Sequence, residues 1–332
     1  MRPLRLGTRR SLLATTQSEW AADALRREGH EVELVEITTH GDVSKEPLAV
    51  IGGTGVFVSA LREALLAGTV DLAVHSLKDL PTAPADGLVL GAVPQREDPR
   101  DVLVAAGRTL AALPQGATVG TGSPRRRALL LDLRPDLEVV AIRGNIDTRL
   151  RMVGDGRLDG VVLAAAGLNR IGRLGEASEL LDPAGFVPAP GQGALAVECR
   201  SGDAEVRAAL TALESPADRL AVAAERCVLG ALEAGCSAPV GAHATSADGV
   251  LTLLVAVGGL DGLVRREVSA PVTDEAGAVA LGSRLAADLL AEGLSLPPRA
   301  SRPGTTPTQP TPTLLAHPQD HPRPRHDTES GS

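Results

Sequence analysis

An apolar stretch that ends in polar residues is the first place where this sequence could do chemistry. Residues 71–76 predict a buried strand, and Ser76, Lys78 and Asp79 stand at its end, before Pro81. Polar side chains at the carboxyl end of a parallel strand usually face the ligand crevice of an α/β sheet. There Asp79 could stay ionised and stabilise a cation, or exchange a proton with a substrate amine. A turn in which Asp79 caps a helix and Lys78 is solvated explains the same residues equally well.

Three other segments place guanidinium groups at predicted strand-to-helix turns: residues 7–11, 120–126 and 143–149. Each combines free backbone N–H groups at a helix N-terminus with arginine forks, which bind carboxylate or phosphate oxygens in pairs. The 33 basic residues include only two lysines, Lys45 and Lys78, so solvated surface arginines are the default alternative. The position of these arginines at strand ends, rather than in mid-helix, favours a polyanionic ligand.

The sequence pattern of the first two hundred residues predicts short apolar strands that alternate with amphipathic helices, and these elements must hold the turns. That rhythm is typical of parallel sheets covered by helices on both faces. Because the anion-binding turns recur after strands, we expect two similar α/β lobes that face each other across one cleft. After Pro190 the pattern changes and predicts a small α+β domain, and residues 297–332, rich in Pro, Thr, Ser and His, predict a disordered tail.

The composition argues against several classes of protein. Among the 332 residues aromatics are 1% and the net charge is −8, which disfavours nucleic-acid binding. The sequence contains no P-loop and no G-x-G-x-x-G after its first strand, so a nucleotide site lacks support. Four arginines among the first ten residues argue against a signal peptide, and no apolar run is long enough to span a bilayer. We therefore expect a soluble cytoplasmic protein with no nucleic-acid or membrane partner.

The three cysteines differ in context. Cys199 lies in an apolar strand and Cys227 on the apolar side of a helix, which is typical of core residues. Cys236 follows Gly235, at a predicted helix end, so its thiol could be an accessible nucleophile or an attachment point. The scattered spacing of the three predicts neither a disulfide framework nor a metal site.

Several motifs of this sequence resemble, in the same order, those of the porphobilinogen deaminase (hydroxymethylbilane synthase) family. They are residues 74–81, 96–101, 143–145, 191–194, 225–226 and 235–241. The resemblance runs from Leu4 to Gly241, and more faintly to Leu290. It implies two lobes similar to type II periplasmic binding proteins, one formed by residues 1–93 with 193–213 and the other by residues 98–189. An α+β cofactor-attachment domain, residues 215–296, would follow, with the tail 297–332 outside the resemblance.

The same resemblance implies a transferase of tetrapyrrole (porphyrin and haem) biosynthesis that works as a monomer. Four molecules of porphobilinogen would be joined head to tail with loss of ammonia, and water would then release hydroxymethylbilane. A dipyrromethane cofactor, bound to Cys236 through a thioether, would serve as the primer, and Asp79 would handle protons and stabilise cations. The cofactor-binding residues would be Lys78, Ser76, Thr121, Ser123, Arg125 and Arg126, and the substrate-binding residues Arg9, Ser11, Gln17, Arg143, Arg149 and Arg170.

The chain also departs from the family pattern. Many members carry lysines where this sequence has Thr54 and Ser59, which puts the role of the Gly-rich loop in doubt. Two other functions compete with the resemblance: a non-enzymatic binding protein that closes on a polycarboxylate, and a cysteine-nucleophile hydrolase. The second is weakened because no histidine is close to Cys236 in the sequence to serve as a base.

Overall fold

The structure is a computed structural model that describes residues 2–37, 55–232, 234, 238–260 and 262–296. Its first elements are β1 (Leu4–Thr8), α1 (Leu12–Arg27), β2 (Val32–Glu36), α2 (Gly55–Leu66), β3 (Leu72–Ser76) and β4 (Leu88–Ala92). The next are β5 (Asp101–Val104), β6 (Thr118–Thr121), α3 (Pro124–Leu133), β7 (Glu138–Ala141), α4 (Ile146–Gly154), β8 (Gly160–Ala164), α5 (Ala165–Arg170) and β9 (Glu179–Leu180). They are followed by β10 (Leu195–Arg200) and α6 (Ala204–Leu210). Short 3-10 helices lie at Leu77–Asp79, Leu174–Glu176 and Thr211–Leu213.

Two mixed five-stranded sheets share one strand order. The first runs β2-β1-β3-β10-β4 and the second β7-β6-β8-β5-β9. In each, the first three strands are parallel and the fourth is antiparallel to both of its neighbours. This repetition confirms the two similar α/β lobes, but the prediction of wholly parallel sheets is wrong. Each antiparallel strand enters its sheet directly from a linker between the lobes, without the helical crossover that a parallel neighbour requires.

Local chemistry accounts for where the helices begin in the three turns that are predicted to bind anions. The hydroxyl of Ser11 accepts from the N–H of Ala14 at the start of α1, over 3.4 Å. Ser123 does the same for α3, where Pro124 occupies the first turn. The side-chain oxygen of Asn145 accepts from the N–H of Thr148 over 2.9 Å at the start of α4, as its sequence position predicts. These caps satisfy amide groups that have no partner within the helix.

The third domain is a small α+β unit. It contains α7 (Pro216–Ala231), β11 (Val240–Ala247), β12 (Val250–Gly259), β13 (Gly262–Pro271) and α8 (Glu275–Ala291). The three strands form an antiparallel meander, and both helices contribute side chains to its apolar core. Sequence patterning predicts strands at residues 251–257 and 263–268 and helices at about residues 215–234 and 275–290. These correspond to β12, β13, α7 and α8, but β11 is missed. The residues of that strand, Val-Gly-Ala-His-Ala-Thr-Ser-Ala, are mostly small and lack the large alternating side chains that mark a strand.

Within the described ranges, no helix has both the length and the apolarity to cross a membrane.

Candidate active site

The turn after β3 carries Lys78 and Asp79, the two residues best suited to take part in a reaction. Its 3-10 helix, Leu77–Asp79, is held at the start by a hydrogen bond from the N–H of Leu77 to the carbonyl of Ala194, 3.0 Å long. Leu77 is fully buried, whereas Lys78 and Asp79 are half-buried. The buried leucine anchors the turn in the core, so its two charged neighbours are carried at the edge of the first lobe.

Lys78 is not the solvated lysine of the alternative interpretation. Its Nζ donates to Oε1 of Gln192 over 3.2 Å, and Gln192 is 1% exposed. Burial and, to a lesser extent, the charge of Arg126 lower the pKa of Lys78 to about 8, although Asp79 and Asp101 oppose the shift. A partly dehydrated ammonium group with a lowered pKa gains much from an anionic ligand, which would compensate for its lost hydration.

A buried carboxylate organises the cations of the second lobe. Asp101, at the start of β5, accepts from Arg125 over 2.7 Å and from two nitrogens of Arg126 over 2.9 and 2.7 Å. The Nε2 of Gln192 donates to the same carboxylate over 3.0 Å. Burial alone would raise the pKa of Asp101, but the charges of Arg125 and Arg126 outweigh it and hold that pKa at about 2.

The cluster has an excess of positive charge. Arg125 and Arg126 both bond to the carboxylate of Asp101, and Lys78 is linked to that carboxylate through Gln192. The charge of Arg126, added to the effect of burial, also lowers the pKa of Arg149. The Nε of Arg125 is buried and finds no hydrogen-bond partner among the residues that the structure describes. An unpartnered guanidinium donor in a cationic cluster fits a ligand that carries carboxylates, as a dipyrromethane does.

The other predicted cofactor residues lie at the ends of two strands. Thr121, the last residue of β6, is buried, and its hydroxyl accepts from the N–H of Ser123 over 3.2 Å. Ser76, the last residue of β3, accepts from Nε2 of Gln17 over 2.9 Å. Gln17 is itself buried on α1. The structure therefore pairs a residue predicted to bind the cofactor with one predicted to bind substrate.

The remaining predicted substrate residues are distributed over both lobes. Ser11 is exposed and Arg9 half-buried on the first lobe, and Arg143 is exposed two residues after β7. The Nε of Arg149 donates to the carbonyl of Gly144 over 2.9 Å. Arg170, at the end of α5, donates to the carbonyl of Gly193 over 2.7 Å. Arg170 thus reaches from the second lobe to the linker that leads into β10.

The predicted attachment residue, Cys236, lies outside the described part of the chain, and so does Thr54. Ser59 is described and lies exposed on α2. Cys199 is buried, as predicted, and burial raises the pKa of its thiol to about 11. Cys227, also predicted as a core residue, is only half-buried, and its Sγ lies 3.0 Å from Oγ of Ser283.

Sequence reasoning assigned no role to Asp101 or Gln192. Both stand in segments that carried the resemblance, residues 96–101 and 191–194, so their positions were marked although their function was not. The two segments contain the linkers that cross between the lobes, and the first of them ends at Asp101, where β5 begins. A buried polar residue in each segment is the signal that could have pointed to a junction between the two halves of the site.

Comparison with known proteins finds similarity over most of the chain. The family model described as porphobilinogen deaminase, dipyromethane cofactor binding domain, matches residues 4–208, and the one described as porphobilinogen deaminase, C-terminal domain, matches residues 219–291. Porphobilinogen deaminase 1 of Streptomyces coelicolor is 58% identical over 305 residues, which cover 87% of this chain and 95% of that protein. Porphobilinogen deaminase of Thermobifida fusca is 56% identical over 302 residues, covering 88% and 94%.

Among solved structures, the chain is similar to a nutrient-binding protein from Burkholderia cenocepacia bound to methionine. Sequence identity is 15%, 64% of this chain and 92% of that chain are covered, and the TM-score is 0.40. The family models together span both lobes and most of the third domain, and the two relatives match over nearly their full lengths. The resemblance of the sequence motifs is therefore confirmed, and the chain belongs to the porphobilinogen deaminase family.

Proposed function

We propose that this protein is a hydroxymethylbilane synthase, which joins four porphobilinogen molecules head to tail with release of ammonia. The observation that carries the proposal is the junction of Lys78, Gln192 and Asp101 with Arg125 and Arg126. It gathers cations from both lobes directly beside the turn that holds Asp79. Family membership supports the reaction, and the excess positive charge supports a substrate and a cofactor rich in carboxylates.

Lys78, Arg125 and Arg126 would hold the acetate and propionate groups of the dipyrromethane, with hydroxyl donors from Thr121 and Ser123. When bound, the dipyrromethane supplies the pyrrole carbon to which the first new ring is joined. Arginine suits this task because its planar fork binds both oxygens of one carboxylate. We also propose that the attachment is a thioether to Cys236.

Asp79 would act on the incoming porphobilinogen. Loss of ammonia from its aminomethyl group leaves an electron-poor methylene whose positive charge is delocalised over the ring. A carboxylate that is already in place stabilises such a charge more than water does, because it needs no reorganisation when the charge forms. Asp79 can also deliver a proton to the departing amine and receive one from the ring.

Each porphobilinogen brings two carboxylates into the cleft, so the substrate needs its own cations. Arg9, Arg143, Arg149 and Arg170 would supply them, with Ser11 as a further donor. Gln17 would act through Ser76, since the structure pairs their side chains at 2.9 Å. Because the cofactor and the substrate would be bound by different sets of cations, the two would be held in separate places.

The finer assignments belong to the same proposal. The domain boundaries 1–93 with 193–213, 98–189 and 215–296 are supported by the strand orders, since β10 completes the sheet of the first lobe. A cytoplasmic location is supported by the free thiols of Cys199 and Cys227. A monomeric state is supported by the family resemblance, and sedimentation equilibrium tests it.

Measurement of the intact mass tests whether a dipyrromethane is covalently attached at Cys236. The protein is produced in a host that makes porphobilinogen, and its mass is compared with those of Cys236→Ser and Cys227→Ser. We expect the wild type and Cys227→Ser to carry the mass of a dipyrromethane and to release ammonia from porphobilinogen. Cys236→Ser should have the mass of the bare polypeptide. A bare wild-type protein that releases no ammonia would contradict the proposal and favour a polycarboxylate-binding protein.

A further inference from the structure

Helix α7 of the third domain contacts the turn that carries Lys78 and Asp79. The guanidinium of Arg226 donates to three backbone carbonyls of this turn and its exit: Leu77 at 3.2 Å, Leu80 at 3.0 Å and Pro81 at 2.7 Å. Arg226 is half-buried, and these three carbonyls belong to the first lobe. One side chain of the third domain therefore spans both ends of the three-residue 3-10 helix.

The turn has little internal support. Within the 3-10 helix and its exit, the N–H of Leu80 donates to the carbonyl of Leu77 over 3.1 Å. A single 3-10 turn has weaker hydrogen-bond geometry than an α-helix and leaves carbonyls at its end without partners inside the turn. Arg226 supplies donors to the carbonyls of Leu80 and Pro81 at that end and a second donor to the carbonyl of Leu77. Bonds from a charged donor are stronger than neutral ones.

A second contact, apolar in nature, joins the same two elements. Val222 lies one helical turn before Arg226, so both side chains share one face of α7. Val222 is buried in a cluster that includes Leu77 and Leu80. The face of α7 thus packs against the leucines on either side of the charged pair and holds their carbonyls at the same time.

The helix itself is rigidly placed. Glu225, next to Arg226, is fully buried and accepts from Arg96 over 2.7 and 3.0 Å, from the N–H of Gly191 over 2.7 Å and from the N–H of Ala244 over 2.8 Å. Arg96 and Gly191 lie in the two linkers between the lobes. The guanidinium of Arg226 therefore acts from a support that is tied to the centre of the molecule.

We propose that Arg226 is a positioning residue, which holds the Leu77–Asp79 turn so that Asp79 and Lys78 face the cleft in the geometry that turnover requires. The catalytic part of this inference rests on the proposed function, but the contact with the turn does not. Arg226 needs no contact with substrate or cofactor for this role. It acts through the backbone that carries Asp79.

The test compares Arg226→Met with Arg219→Met in the full chain. Arg219 is a matched control, since it is a half-buried arginine on the same helix that bonds a first-lobe carbonyl, Leu90 at 3.3 Å, and Glu214. Amide hydrogen exchange is measured by mass spectrometry on peptides that cover residues 76–82. Intact mass, kcat and KM for porphobilinogen are measured on the same preparations.

For Arg226→Met we expect faster exchange in residues 76–82, an unchanged covalent pyrrole mass, a KM within about threefold of wild type and a kcat lower by about 10- to 100-fold. Added guanidinium ion should restore part of the kcat. Arg219→Met should leave exchange in these residues and kcat at wild-type values. Wild-type exchange in Arg226→Met overturns the proposal, and so does an equal loss of kcat in the two variants.

Should Arg226→Met fail to fold, Arg226→Lys decides the matter. A single ammonium group reaches fewer carbonyls than a planar fork, so we expect faster exchange and a kcat at least about threefold lower. Exchange and kcat equal to those of wild type overturn the proposal. A wild-type protein without pyrrole or ammonia release refutes the proposed function, whereas exchange in residues 76–82 still decides whether Arg226 holds the turn.

Discussion

The side-chain carbonyl of Gln192 accepts a hydrogen bond from the ammonium group of Lys78 over 3.2 Å, across 114 positions of sequence. The amide nitrogen of the same side chain donates to Asp101 over 3.0 Å and to the carbonyl of Pro99 over 2.8 Å. One buried amide thus connects the lysine of the first lobe to the carboxylate that holds the arginine pair of the second.

Replacing Gln192 by methionine should destabilise the protein. The substitution keeps the length of the side chain but leaves Lys78 without this acceptor and Asp101 without one donor. We expect the free energy of unfolding to fall by about 2–3 kcal/mol, because the groups left behind are a buried carboxylate and a half-buried ammonium group. Urea unfolding monitored by circular dichroism measures this, with the exposed Gln115→Met as control. A loss no larger than that of the control would show that the amide bridge contributes little.

Replacing Asp79 by asparagine or alanine should nearly abolish turnover and leave the fold intact. Asparagine has almost the same shape but neither carries the negative charge nor exchanges a proton, so we expect kcat to fall by about 100-fold or more. The rate of ammonia release from porphobilinogen and the thermal unfolding midpoint measure the two effects. Asp86→Asn, an exposed change in the same region, is the control. Near-wild-type turnover in either Asp79 variant would remove this residue from the mechanism.

The buried carboxylate of Glu198 should make stability depend on pH in the acid range. Burial would raise its pKa, but His75 and the two hydrogen bonds from Arg62, 3.0 and 2.8 Å long, hold that pKa at about 2. Because the pKa is lower in the folded protein than in the unfolded chain, this contribution is present above about pH 4.5 and is lost as the pH falls towards 2.

Glu198→Gln removes this ionisation. We expect the difference in unfolding free energy between wild type and Glu198→Gln to shrink by about 3 kcal/mol between pH 6 and pH 2, from a shift of roughly two to three pKa units. Denaturant unfolding at a series of pH values measures it. The exposed Glu205→Gln is the control and should follow the wild type. If the difference in unfolding free energy between wild type and Glu198→Gln does not change with pH, the acid dependence of stability does not come from Glu198.

Gly193 should tolerate no side chain. Its φ is +88°, and a Cβ atom there would lie 2.3 Å from the carbonyl oxygen of Glu97 in the other linker. Gly156 is the matched control, with a φ of +69° and open space around the corresponding Cβ. Gly156→Ala should lower the free energy of unfolding by about 1–2 kcal/mol, because alanine is strained in this left-handed backbone conformation. Gly193→Ala has the same strain and must also push the two linkers apart. Urea unfolding should show the larger loss for Gly193→Ala, and equal losses would mean that the linkers separate easily.

Much of the framework follows from local patterns in the sequence. The helix starts at Ser11, Ser123 and Asn145 are predictable because a cap is an interaction between residues three positions apart. The polar turn after residues 71–76 is predictable because a buried apolar strand ended by polar residues and Pro81 has few other interpretations. The repeated anion-binding turns likewise predict two similar lobes, because each turn follows a strand and opens a helix.

The direction of β5 and β10, by contrast, is not visible in their residues. A buried strand has the same apolar composition whether its neighbours run parallel or antiparallel to it. Its direction depends on the path of the linkers, which is a property of the whole chain. For the same reason the sequence predicts arginines at strand ends but does not predict that Asp101 engages two of them.

By its own motifs the sequence determined the family, and it predicted carboxylate-rich ligands and the residues at which chemistry is expected. Only the tertiary structure decided which charges neutralise one another, and how Gln192, Asp101 and Arg226 relate to Lys78 and Asp79. These contacts join residues that lie far apart along the chain, and their strength depends on distance and burial in space. Neither quantity can be obtained from spacing along the sequence.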